Sequence, residues 1–236
     1  MEIIPTLFYF HHDCLRHSAG PGHPESPERL QAVFTALSPT RFPHLMRREA
    51  PLAGLEIPYG AHDPAYVTAV LTSSVDARTA RRIGFEMTPA IAARTRASVG
   101  GTCLAARLAL QEGAAVSLAG GSHHANYESG AGFCVFNDVA VAARAMQAEG
   151  LARKIAIIDC DVHHGDGTAS IFTGDSSVFT ASLHCEDNWP REKPPSDLDV
   201  GLAKGEGDAA YLKALTGLVD QVFARSEPDL VFYNAG

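Results

Sequence analysis

The chain has 236 residues, 46% of them hydrophobic and 19% charged, with a net charge of -8 when histidine is neutral. That length supports one large domain with its own core, and that composition describes an ordinary globular protein rather than a disordered chain. The acidic balance speaks against a nucleic-acid surface, which needs clustered lysine and arginine.

In chain order, residues 1–10 are apolar but lack a basic leading region and are too short for a signal-peptide core; no run reaches the length of a transmembrane helix. The expectation is a cytoplasmic protein with no membrane partner. Five cysteines, an odd number with no Cys-x-x-Cys pair, fit a reducing compartment better than a disulfide framework or a thiolate metal site. Ser26 before Pro27, Glu28 and Arg29 reads as an N-cap opening a helix toward Leu37. Asp63-Pro64 opens another toward Thr72. Thr88-Pro89 opens a longer one toward Glu112, expected to be disturbed at Gly100-Gly101 because glycine disfavours helix. Asn137 caps a helix running to about Glu149 and ending at Gly150, and Asp208 opens one to about Arg225. Between them lie strand-like runs at 115–118, 154–158, 177–180 and 229–233. Runs that are apolar on both faces suit a parallel sheet covered by helices on each side. Ligands then gather at the carboxyl ends of the strands. His123-His124, residues 159–166, Ser182-Leu183-His184 and Asn234-Ala235-Gly236 all fall there.

Two of these segments are dense in one kind of chemistry. Gly120-Gly121-Ser122-His123-His124-Ala125 and Asp159-Cys160-Asp161-Val162-His163-His164-Gly165-Asp166-Gly167 hold four of the eleven histidines and three aspartates. Imidazole and carboxylate are the non-thiol ligands of zinc and similar ions. Asp161 and His163 are two apart, so an extended chain points both to one face and Cys160 to the other, as packing. A zinc hydrolase needs an ion with an open position, an activated water, a base for that water and an acid for the leaving group. Asp161 and His163 are the candidate ligands, and His123 and His124 the candidate acid–base pair. Asp159 and Asp166 can accept the distal N–H of an imidazole, which orients the ring and raises its basicity. The plain alternative is a polar loop whose charges are solvated.

With these segments, His23-Pro24-Glu25-Ser26-Pro27-Glu28-Arg29, Gly132-Phe133-Cys134-Val135-Phe136-Asn137-Asp138, Ser182-Leu183-His184 and residues 228–236 complete a resemblance to the histone deacetylase family, in its bacterial, class IV-like or acetoin-utilisation-like branch. The resemblance implies an arginase-like three-layer α/β/α fold with a mostly parallel central sheet. It implies zinc held by Asp161 and His163, His124 as base with His123 its partner, and the pairings Asp159 with His123 and Asp166 with His124. It implies that Gly132 and Phe133 line an acyl-lysine tunnel. It implies a potassium-type monovalent cation near Asp159, Asp161, His163, Ser182 and Leu183. Trp189 is a candidate for the tunnel rim or a partly buried surface aromatic. His11, His12 and His17 read as a solvated loop, His184 as a loop-positioning residue, and Arg29 as a channel lining or an ion-pair partner.

The resemblance also carries a departure. The family's third zinc ligand, an aspartate, falls two residues beyond the Ala-Gly that closes this sequence, and its transition-state tyrosine later still. The expectation is a single deacetylase-like domain, 1–236, lacking its C-terminal part. The implied activity is zinc-dependent removal of an acetyl or longer acyl group from lysine in a protein or peptide, or from a small amine. The alternatives are a catalytically incomplete metal-binding fragment or binding protein of the same fold, and a metallophosphoesterase, which normally wants a second ligand cluster.

Overall fold

A computed structural model describes residues 6–10, 12–15, 27–38, 40–42, 45–54 and 60–236. His11, His17 and the 23–26 part of the His23–Arg29 motif lie outside the described residues, as does the side chain of His12. The elements are β1 (Thr6–Phe10), a short 3-10 turn (His12–Leu15), α1 (Pro27–Ala36), β2 (Leu45–Glu49), α2 (Pro64–Leu71), α3 (Ala77–Ile83), α4 (Pro89–Glu112), β3 (Ala115–Ser117), α5 (Asp138–Ala148), β4 (Ile155–Asp159), α6 (Asp166–Ile171), β5 (Val178–Cys185), β6 (Leu198–Leu202), α7 (Asp208–Ser226) and β7 (Leu230–Asn234). All ladders are parallel, in the orders β2-β1-β3 and β6-β5-β4-β7.

The strand β4 explains the layering. Its five residues are buried without exception. Ile155 and Ile157 enter a core with α2, α4 and α5, while Ala156 and Ile158 enter a second core with α7. Alternate side chains of one strand point to opposite faces, so a continuous apolar run feeds two helical layers at once. The result is a three-layer α/β/α fold. Each aliphatic side chain fully buried in this way contributes roughly 1.5–3 kcal/mol.

Helix starts follow the local chemistry. Asp63 accepts from the N–H groups of Ala65 and Tyr66, Thr88 from Ile91, and Asn137 from Ala140. The helix α4 differs from the expectation, because it runs unbroken through Gly100 and Gly101, both buried. A Cβ on Gly100 would stand 2.0 Å from the carbonyl oxygen of Pro51. The segment after β2 lies against the helix there, and the Ala53 N–H donates to Arg96 O at 3.0 Å. Close packing outweighs the helix penalty of about 1 kcal/mol per glycine. A second difference concerns Ser182, Leu183 and His184, which are inside β5 rather than in a loop after it. Their backbones pair with β6, and the polar side chains of Ser182 and His184 meet each other at 3.0 Å, so polarity does not end the strand. The strands β1, β2 and β6 and the helices α3 and α6 carry weak or short patterns and have no counterpart in the sequence expectation.

Candidate active site

The segment carrying His123 and His124 leaves β3 and crosses the carboxyl end of the sheet. A buried scaffold pins it. Asp138, wholly buried at the start of α5, accepts from the N–H groups of Gly121 at 3.0 Å and Ser122 at 2.8 Å and from the Thr102 hydroxyl at 2.5 Å. Burial pushes the Asp138 carboxyl above the usual carboxylate range, although these donors oppose the shift. The Asn137 amide donates to Ala125 O and Thr168 Oγ1, and the Thr168 N–H donates to His123 O at 3.1 Å.

His62 completes the scaffold. Its Nδ1 donates to Asn126 O at 2.8 Å while its Nε2 accepts the Asn137 N–H at 2.9 Å. Only the neutral ring satisfies both bonds. Burial, partly offset by backbone carbonyls, lowers its pKa from 6.5 to about 4. The unfolded chain therefore binds the extra proton first as pH falls. The contribution of His62 to stability is whole above pH 6.5 and declines toward pH 4. The loss amounts to roughly 3 kcal/mol when complete. Denaturant midpoints measured across this range should fall less steeply for His62→Gln than for the unaltered protein; parallel profiles would remove His62 from the acid transition.

Two histidine–aspartate pairs stand side by side. His123 Nδ1 lies 2.6 Å from Asp159 Oδ2 and His124 Nδ1 lies 2.5 Å from Asp166 Oδ1, with the two ring centroids 3.9 Å apart. Both histidines are buried. Their environments differ in sign. Burial opposes charge on His123, but the charge and hydrogen bond of Asp159, with Asp161 and Asp166 behind them, lift its pKa above the ordinary value. Burial dominates at His124 and, with the neighbouring His123, keeps its pKa below the ordinary value despite Asp166. Adjacent rings tuned apart are the arrangement expected of an acid–base pair.

Asp161 and His163, half-buried on the loop from β4 to α6, face this pair. His163 Nδ1 lies 2.9 Å from Asp161 Oδ1, and His123 Nε2 lies 3.8 Å from the same oxygen. Two ligand atoms each about 2.0–2.2 Å from a tetrahedral zinc stand about 3.3 Å apart. These are two donors of the chemical kind that ion takes, where a catalytic zinc has three protein ligands. For the monovalent cation, Asp159 and Ser182 are register partners on β4 and β5, Asp159 Oδ1 accepts the Asp161 N–H, and Leu183 is buried beside them.

A further group with ligand spacing was not foreseen from the sequence. His164, His184 and Asp199 hold their donor atoms within 4.8 Å of one another. It fits a metal poorly. His164 Nε2 meets Asp199 Oδ1 at 3.0 Å, and its buried Nδ1 has no hydrogen-bond partner among the described residues. A cation on Nε2 would leave a buried N–H donor unsatisfied, at a cost of about 1–3 kcal/mol.

Gly132 lies against His124 and Trp189, while Phe133 meets Ile83, Gly84 and Phe85. Gly132 has φ +53°, and a Cβ there would stand 2.7 Å from His124 Cδ2 and 3.0 Å from the Trp189 ring. Phe133 also has a positive φ, +66°, held by its N–H donating to Ile83 O at 2.6 Å and by contact with Phe85. Such a conformation in a bulky residue stores roughly 1–3 kcal/mol and marks a position over-determined by its surroundings. Trp189, 46% exposed, presents its ring perpendicular to His124 at 4.5 Å between centroids. It stands beside His124, His163 and Gly132 rather than on a remote surface. Arg29 is exposed on α1, and Cys160 packs in the core under α7. Of the supporting residues, His62 carries no sequence signal, whereas Asp138 sits in a motif that marks it without revealing its task.

Residues 23–236 match the histone deacetylase domain. An uncharacterized protein of Picosynechococcus sp. is 49% identical over 74% of this chain and 58% of its own length. A protein of Methanothermobacter thermautotrophicus named "Probable deacetylase" is 30% identical over 91% of this chain and 69% of its own. Among solved structures, the HDA15 HD domain superposes with a TM-score of 0.78 at 27% identity, covering 97% of this chain and 73% of that one. The chain thus spans less than two thirds of the length of its Picosynechococcus relative.

Proposed function

The chain belongs to the histone deacetylase family, and from that premise we propose a zinc-dependent deacylase that hydrolyses the amide of an acylated lysine, or of a related small acylated amine. The observation that carries this reading is the twin His–Asp arrangement facing Asp161 and His163. Residues 1–236 are read as one deacetylase-like domain, and the activity is proposed for the protein rather than for these residues in isolation. The odd cysteine count supports a cytoplasmic setting. Among the described residues no helix is long and apolar enough to cross a membrane.

Asp161 and His163 would hold the zinc, which when bound polarises an acyl carbonyl and lowers the pKa of a bound water to about 7. Asp166 accepts the Nδ1–H of His124, which leaves Nε2 as the lone-pair nitrogen. That nitrogen takes a proton from the attacking water, whose oxygen bonds to the acyl carbon. As the C–N bond breaks, a proton returns to the departing amine, and the products are a carboxylate and the free amine. His123, its charge favoured by Asp159, supplies positive potential beside the developing oxyanion. Gly132, Phe133 and Trp189 enclose the methylene stem and exclude water.

Purified protein should hydrolyse an acetyl-lysine peptide or a small acylated amine, lose that turnover on chelation and regain it with added zinc. A phosphate ester should be left intact. Zinc-loaded protein that cleaves the ester and no acyl amide would overturn the reading in favour of a metallophosphoesterase.

A further inference from the structure

Trp189 is the sole tryptophan of the 236 residues. It sits on the loop from β5 to β6, half-exposed, with its indole over Gly132 and edge-on to His124. Exposed loop aromatics are ordinarily free to change rotamer, so something must hold this one. The candidate is Lys193. Its Nζ donates to Glu186 O at 2.9 Å, Asn188 O at 3.1 Å and Pro190 O at 3.0 Å. An ammonium has three N–H groups, and all three are spent on carbonyls of this one loop. Accepting residues 186, 188 and 190 bracket Trp189, so the backbone is wrapped around a single positive charge. The rest of the loop reinforces it. The Trp189 N–H donates to Asn188 Oδ1 at 2.9 Å, and the Glu186 N–H donates to Leu202 O on β6 at 2.9 Å.

Lys193 makes no ion pair among the described residues. A half-buried lysine in that position gives up much of its rotamer entropy. Charge-assisted hydrogen bonds to carbonyls are the evident compensation, because they are roughly twice as strong as neutral ones.

We propose that Lys193 is a positioning residue for the substrate channel: its ammonium organises the 186–190 loop and thereby sets Trp189 as the wall opposite Gly132 and His124. The proposal rests on the reading of this cleft as the acyl-amine site, but the placement of Trp189 can be tested without turnover. Lys193→Met keeps an unbranched, flexible side chain, one atom shorter, and removes every donor. Lys193→Arg keeps the charge but supplies a planar fork that cannot converge on three carbonyls.

The experiment reads the fluorescence of Trp189 in the full protein, with the spectrum of Trp189→Phe subtracted, and then the kinetics on an acetyl-lysine peptide. In Lys193→Met the emission should move to longer wavelength and acrylamide should quench it more strongly. The value of kcat/KM should fall on the order of tenfold, carried mainly by KM, since the channel and not the acid–base pair is disturbed. Lys193→Arg should lie between the two proteins in emission and quenching. Should the methionine variant not fold, the arginine variant decides, with wild-type emission and quenching overturning the proposal. A folded Lys193→Met protein with wild-type emission and quenching also overturns it, even if its activity is lost. If the unaltered protein hydrolyses no acyl amide, the proposed function fails, while the fluorescence still decides what Lys193 does.

Discussion

Replacing His124 by alanine is expected to lower deacylase kcat by about a hundred- to ten-thousand-fold, the usual contribution of a positioned general acid–base group, while the protein keeps its zinc. The ring sits on the segment after β3, whereas Asp161 and His163 sit on the loop after β4, so the proposed base and the proposed ligands lie on separate stretches of backbone. Asp166→Asn should produce a smaller defect of the same kind. The amide keeps a partner beside Nδ1, 2.5 Å away in the native pair, but no longer enforces the tautomer that leaves Nε2 free. Steady-state kinetics together with metal analysis of the same preparations test both. Turnover at the unaltered rate in the alanine variant would remove His124 from the mechanism.

The second large effect is on metal content. Asp161→Ala and His163→Ala are each expected to lose bound zinc and, with it, turnover. Loss of an outer partner of a ligand lowers metal affinity about 10–100-fold, and loss of a ligand itself should exceed that. Asp161→Ala also deprives the His163 N–H of its acceptor, 2.7 Å away in the native loop, so local order is at stake as well as a ligand. Asp161→Asn separates the two: the amide oxygen still accepts that N–H but carries no charge for the ion. Zinc measured by mass spectrometry after dialysis against a competing chelator should therefore be low in all three ligand variants and undiminished in His124→Ala. Equal depletion in every variant, His124→Ala included, would reject the division of roles.

Elements whose causes are local were legible in the sequence. The aspartate, threonine and asparagine caps at 63, 88 and 137 act on N–H groups two or three residues away, and the strand Ile155–Asp159 is legible because every residue in it is apolar until its last. The tandem histidines and the Asp-x-His spacing were likewise legible, since ligand alternation is a property of two or three neighbouring residues. Tertiary packing settled the matters that join distant residues. It carried α4 straight through Gly100 because the chain near Pro51 needs that space. It continued β5 through Ser182 and His184 because β6, itself too weakly patterned to anticipate, pairs with them. It brought Trp189 to His124, made His62 and Asp138 the supports of the His123–His124 segment, and turned Lys193 into the hub of a loop. Short-range hydrogen bonds and periodicity are encoded within one turn or one strand, whereas a buried polar group takes its partners from whatever packing brings beside it, and no local pattern specifies which residues those will be.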